Sequence, residues 1–156
     1  MDFSLIGFGF IALTSVPLAA IDIRQRRLPN KLTLPAIAVT FASLAAAAVW
    51  QGDSSRFWIC AAWGLGGFAV GLLLNLRRML GMGDVKLLVA LLPLLAWFGW
   101  QQPVYGLLAA FAGAGLVLLV KLAAGRLRLD STLAMGPYLL LGFWLAAGLG
   151  WGYSPG

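Results

Sequence analysis

Gly81-Met82-Gly83-Asp84-Val85-Lys86-Leu87-Leu88 runs two glycines, an acid and a base into the start of a long apolar stretch. Read as the first turn of a membrane helix, this segment decides the fold, because the charges around it then become markers of topology. The composition supports that reading. Of 156 residues, 62% are hydrophobic and 10% are charged, whereas soluble domains carry about 25% charged residues. The mean hydropathy is +0.93. An ionisable side chain at membrane depth is costly and marks a functional site unless a plainer role accounts for it.

Working outward from Asp84, the chain divides into six apolar spans of roughly 20 residues, the length that crosses a bilayer as a helix. They are expected at Ser4 to Ile21, Leu32 to Trp50, Phe57 to Leu76, Val85 to Trp100, Val104 to Leu122, and Thr132 to Trp151. The fourth is the short one. The first carries Asp2 ahead of its apolar run and its basic cluster behind it, the pattern of a retained anchor rather than a signal peptide. The expected fold is therefore all-α: one polytopic membrane domain over residues 1–156, with about six transmembrane helices.

Charge fixes the orientation. Arg24, Arg26, Arg27 and Lys31 follow span one; Arg77, Arg78 and Lys86 flank the start of span four; Lys121, Arg126 and Arg128 follow span five. Of the 11 basic residues only Arg56 falls on the other side. The positive-inside rule places these three loops in the cytoplasm and both termini outside. Trp50, Trp58, Trp100 and Trp151 then sit at the outer ends of spans as interfacial anchors. The basic excess is thus a topology signal, with anionic lipid as the contact it implies and no nucleic acid as partner.

That topology brings two of the five aspartates to one depth. Asp22 ends span one and Asp84 opens span four, both on the cytoplasmic side; Asp2 and Asp53 lie outside. Asp130, before span six, is a third cytoplasmic acid and an open candidate for polar contact. When two carboxyls approach closely, one holds a proton and the other stays ionised. The ionised one can take a proton from water attacking a peptide carbonyl, while the protonated one polarises that carbonyl and protonates the leaving amine. An anion is stabilised at a helix start, which suits Asp84 as the base and leaves Asp22 as the acid. Gly81 and Gly83 can adopt positive φ and let a strand-like substrate backbone come close, which makes them the expected substrate-binding residues.

Each feature has a plainer reading. Asp84 can cap span four, and Asp22 can pair with a nearby arginine. Gly67, Gly71, Gly113 and Gly115 read as helix-packing notches. Cys60 reads as inert packing and Lys86 as a snorkelling cation. Exclusions narrow the chemistry further. The chain has no histidine and no glutamate, so Ser-His and Cys-His pairs and the His-Glu-x-x-His zinc motif are impossible within it. It has no glycine-rich phosphate loop ending in Lys-Ser/Thr. Neither a cofactor nor a metal site is expected. Two other classes stay open: a proton-coupled transporter, whose acids belong deeper in the spans, and a non-catalytic membrane subunit of a pilus or secretion machine.

Three separated stretches resemble the type IV prepilin peptidases, membrane aspartic proteases of the Gly-x-Gly-Asp class. They are Ile21-Asp22-Ile23-Arg24-Gln25-Arg26-Arg27-Leu28-Pro29-Asn30-Lys31-Leu32-Thr33-Leu34-Pro35, then Gly81 to Leu88 as quoted, then Met135-Gly136-Pro137-Tyr138-Leu139. Their order and spacing agree with the family across nearly the whole chain. The resemblance implies an aspartic endopeptidase of the inner membrane that removes the short, basic, glycine-ended leader from pilin-like precursors at the cytoplasmic face. It assigns the two catalytic aspartates to Asp22 and Asp84, and the motif glycines to Gly81 and Gly83. Longer bifunctional members also methylate the new N-terminus and often carry paired Cys-x-x-Cys motifs. With Cys60 alone, this chain resembles a peptidase-only form for which methyl transfer is not expected.

Overall fold

The structure, a computed structural model, describes residues 2–25, 28–125 and 134–152. Six helices follow one another: α1 (Ser4–Gln25), α2 (Asn30–Gln51), α3 (Ser54–Leu76), α4 (Met82–Phe98), α5 (Gln102–Ala123) and α6 (Gly136–Gly152). Among the described residues there is no strand. The six expected spans are all present as helices, in a polytopic membrane bundle. Four of them, α1, α2, α3 and α5, are 22 or 23 residues long and apolar enough to cross a bilayer. α4 and α6 have 17 residues each, roughly 25 Å at 1.5 Å per residue. The expectation that span six starts at Thr132 falls on residues outside those described; α6 starts at Gly136 with Pro137 in its first turn, where the missing N–H is harmless.

α4 is the axis of the bundle. From Asp84 to Trp97 every residue except Lys86 and Val89 is buried. A helix apolar on every face is a buried helix, and α4 touches each of the other five. The outer helices turn large side chains outward instead, Leu13 at 80% exposed and Val49 at 83% among them. In water such a surface would aggregate, and in lipid it is the solvent-compatible face.

Small residues let α4 in. A Cβ on Gly64 would meet the Pro93 ring at 3.0 Å, one on Gly67 would meet Leu92 at 2.6 Å, and one on Gly71 would meet Val85 at 3.0 Å. α3 thus presents a glycine groove to α4, as membrane helix pairs commonly do. Gly67 and Gly71 are notches as expected. Gly113 makes only ordinary contact with Tyr138, and Gly115 faces open space, so the notch reading fails for Gly115. The tighter α5–α6 notch is formed by Gly106 and Gly142. A Cβ on Gly142 would strike the Gly106 carbonyl oxygen and lie 2.8 Å from the Ala110 nitrogen. Thr40 on α2 adds an interhelical hydrogen bond, Oγ1 donating to the Ala90 carbonyl at 3.1 Å, worth on the order of 1 kcal/mol in a membrane.

The two ends of the bundle differ in character. At one end Phe8 packs against Phe98, Phe143 and Trp151 at centroid distances of 5.1–5.7 Å. Phe3 meets Trp50 edge-on. Arg56, the isolated cation of the sequence reading, donates to the Trp97 carbonyl and lies over its ring at 4.4 Å. Asp2 and Asp53 sit at this end as helix caps: Asp2 accepts from the Ser4 amide at 3.2 Å and Asp53 from the Arg56 amide at 3.2 Å. Hydrogen bonds from the Ser55 side chain and the Arg56 backbone hold the half-buried Asp53 side chain below the usual aspartate range.

Gly142→Ala is expected to lower stability by on the order of 1–3 kcal/mol, because the helix backbones themselves must part. Gly148→Ala in the same helix meets nothing within 4 Å and should leave stability unchanged or slightly raised. Thermal unfolding in lipid measures both; equal effects would refute the close α5–α6 approach.

Candidate active site

The opposite end gathers the remaining described aspartates. Along α1 the buried face runs Ser4, Gly7, Phe8, Ile11, Thr14, Leu18 and Asp22, steps of three and four residues that stay on one side of a helix. Asp22 continues that inward stripe in place of a leucine. Its position in the sequence as an interfacial charge is therefore misleading: it is 4% exposed. Asp84, 9% exposed, occupies the first turn of the central helix. Both stand at the same end of the bundle, Asp22 at the end of α1 and Asp84 at the start of α4.

Backbone amides anchor both. Asp84 Oδ2 accepts from the Gly81 N–H at 3.3 Å, one half of a capping box at the start of α4. Capping therefore uses one oxygen only. Among the described residues Oδ1 of Asp84 is buried and has no hydrogen-bond partner, an arrangement that native proteins rarely leave without a purpose. Asp22 Oδ2 accepts from the Gly136 N–H at 2.9 Å, across 114 residues of sequence. Asp22 thus lies at the end of its own helix and against the start of α6. The helix-end argument that made Asp84 the base and Asp22 the acid does not hold, since both carboxylates face a helix start.

These are two buried acids on separate membrane helices, held by main-chain donors at one end of the bundle, in a segment bearing Gly-x-Gly-Asp. The family model for type IV leader peptidases matches residues 8–120, a stretch that contains both acids. The chain belongs to the type IV leader peptidase family.

Relatives described as prepilin leader peptidase/N-methyltransferase match across most of the chain. The Burkholderia pseudomallei protein is 37% identical over 148 residues, 89% of this chain and 44% of that protein. The Dickeya chrysanthemi protein is 38% identical over 135 residues, covering 80% of this chain and 44% of the relative. The Escherichia coli protein is 33% identical over 139 residues, covering 86% and 59%. This leader peptidase family member therefore spans about half the length of the curated relatives it matches. No solved structure matches the chain.

The backbone of the motif glycines differs from the sequence expectation. Neither takes a positive φ: Gly81 is extended at φ −71°, ψ 147°, and Gly83 lies inside α4. A Cβ on Gly83 would sit 2.7 Å from the Leu28 Cβ and 3.2 Å from its backbone nitrogen. The glycine is needed so that the α1–α2 connection can close over the start of α4. A Cβ on Gly81 would meet only the Asp84 Oδ2, at 3.1 Å, and Gly81 is exposed at the mouth of the site.

Lys86 was expected to snorkel. Its Nζ donates to Asn30 Oδ1 at 2.7 Å in an exposed contact, joining α4 to the start of α2 just beyond Leu28. Asn30, Leu28 and Gly136 are the residues that reasoning from single side chains missed. Leu28-Pro29-Asn30 and Gly136-Pro137 both carry a proline beside a helix start, and that punctuation was the available signal. Arg24, Lys31, Arg77, Arg78 and Lys121 are exposed at this end. Arg26, Arg27, Arg126, Arg128 and Asp130 lie outside the described residues. Cys60 is fully buried in α3, away from both acids in the sequence and part of the apolar core. Among the described residues no group of His, Cys, Asp or Glu could hold a metal ion.

Gly83→Ala should destabilise the protein by on the order of 1–3 kcal/mol through overpacking against Leu28, and Gly81→Ala by less. Thermal midpoints of the two variants in lipid rank them; the reverse order would remove the packing role given to Gly83.

Proposed function

We propose that this chain is an aspartic endopeptidase that removes the leader from type IV pilin-like precursors at the cytoplasmic face of the inner membrane. Asp22 and Asp84 form its catalytic pair. The observation that carries this reading is the pair itself: two buried carboxylates from different helices, each anchored through Oδ2 by a backbone N–H, with Asp84 Oδ1 buried and unpartnered among the described residues. Family membership supports the reaction class, and the names of the relatives support the substrate class. Only the peptidase half of those names is assigned to this chain.

The chemistry uses water and the two carboxyls. With one carboxyl ionised and one protonated, the ionised group accepts a proton as water adds to the scissile carbonyl. The protonated group donates a hydrogen bond to the carbonyl oxygen and then a proton to the departing amine. Oδ1 of Asp84, without a donor among the described residues, is the oxygen that meets water or the carbonyl in this reading. Gly81, exposed beside Asp84, borders the substrate backbone directly. Gly83 contributes through Leu28, which it admits to the same rim. No cofactor enters any step, and the macromolecular partners are the precursor and lipid.

The exposed cations support the orientation. Arg24, Lys31, Arg77, Arg78 and Lys121 share the end that carries the aspartates, and Arg56 lies at the other. The positive-inside rule places the aspartates at the cytoplasmic face and both termini outside. A cysteine introduced by Ser55→Cys should react with a membrane-impermeant maleimide on intact cells, and one introduced by Lys31→Cys only after permeabilisation. The opposite labelling would invert the topology.

Cleavage of a pilin-like precursor with a basic, glycine-ended leader tests the activity in lipid. The wild type should cleave, and Asp22→Asn and Asp84→Asn should each lose at least about a hundredfold in rate, as removal of an acid–base group does, while keeping the helical circular dichroism. Cleavage that survives either substitution removes that residue from the pair.

A further inference from the structure

The first turn of α6 can be accounted for donor by donor. A helix leaves its first N–H groups without intrahelical partners. Pro137 has none to offer. The Tyr138 and Leu139 amides donate to the Met135 carbonyl at 3.1 and 3.0 Å. The Gly136 amide is the remaining donor, and it goes to Asp22 Oδ2 at 2.9 Å in a buried contact.

Among the described residues, the residue type at 136 fits that contact. Gly136 has no positive φ, so its backbone does not require glycine. A Cβ there would lie 2.7 Å from Asp22 Oδ2 and 3.1 Å from its Cγ, closer than a carboxylate allows. Any side chain at 136 would displace Asp22. α6 is in turn fixed against both partners of the site. Trp144 Nε1 donates to Ser15 Oγ on α1 at 3.1 Å, and Leu139 and Phe143 share the buried apolar core with Leu88 and Leu91 of α4. Gly136 lies beyond the residues 8–120 matched by the family model.

We propose that Gly136 is a positioning residue for peptide hydrolysis: its backbone N–H and its lack of a side chain fix the Asp22 carboxylate at the start of α6, at the end of the bundle that carries Asp84. This rests on the reading of Asp22 and Asp84 as the catalytic pair. The start of α6 is then a third wall of the active site, built from main chain.

The test combines kinetics with a stability cycle on the full chain in lipid, using Gly136→Ala, Asp22→Ala and the double variant. On the wild-type background Gly136→Ala should lower kcat for precursor cleavage by on the order of a hundredfold and leave KM within about threefold, because the carboxylate acts in the transition state. It should also lower the thermal midpoint by about 4 °C or more. In the Asp22→Ala background the oxygen it collides with is gone, so the same substitution should leave the midpoint unchanged. If Gly136→Ala alone does not fold, recovery of folding in the double variant supports the proposal and continued unfolding overturns it. Unimpaired kcat, or an equal midpoint loss in both backgrounds, removes Gly136 from this role while wild-type cleavage leaves the catalytic pair standing. A folded wild type that cleaves no precursor overturns the catalytic pair itself and the role of Gly136 with it, whatever the cycle shows of the contact.

Discussion

A carboxylate carried into an apolar bundle has to be given hydrogen-bond donors, and in this protein main-chain amides at helix starts are among the donors that serve. That constraint organises the site. Asp84 is buried because it opens the central helix, and the Gly81 amide meets it there. Asp22 is buried because it continues the inward face of α1, and the Gly136 amide meets it from α6. Helix starts are natural seats for anions, through their free N–H groups and the local dipole. The bundle must therefore bring two helix starts and the end of α1 to one place, which an alternating arrangement of six helices does at a single face.

Much of this was legible in the sequence, for reasons tied to particular residues. Apolar runs bounded by Arg, Lys, Gly and Pro marked all six helices, because a bilayer tolerates charge only at its edges. Asp22 and Asp84 stood out because acids are rare in such runs. The place of α4 was not legible: its run from Val85 to Trp97 is apolar on all sides, and periodicity cannot say which of six apolar helices lies at the centre. Nor were the reasons for the glycines. Gly83 answers to Leu28, 55 positions earlier by numbering, and Gly142 to Gly106. Gly115, which resembles the others locally, faces open space. A small residue advertises close approach without naming what approaches.

The competing classes fare differently against the geometry. A proton relay needs acids distributed through the depth of the membrane, whereas the two buried acids of the described residues stand at one end and the two caps, Asp2 and Asp53, at the other. A purely structural subunit has no use for a buried carboxylate oxygen left without a donor, since burial of such an atom costs about 1–3 kcal/mol or more. Among the described residues Asp84 Oδ1 is such an atom.

The insulation of α4 has a mechanical consequence. Lipid presses on α1, α2, α3, α5 and α6 but hardly touches α4, so the bundle behaves as a sleeve around a pin. Asp84 rides on the pin. Asp22 rides on the sleeve, on a helix of 22 residues beside one of 17. Asp22 thus stands on a helix that lipid reaches along much of its length, and Asp84 on one that lipid hardly touches.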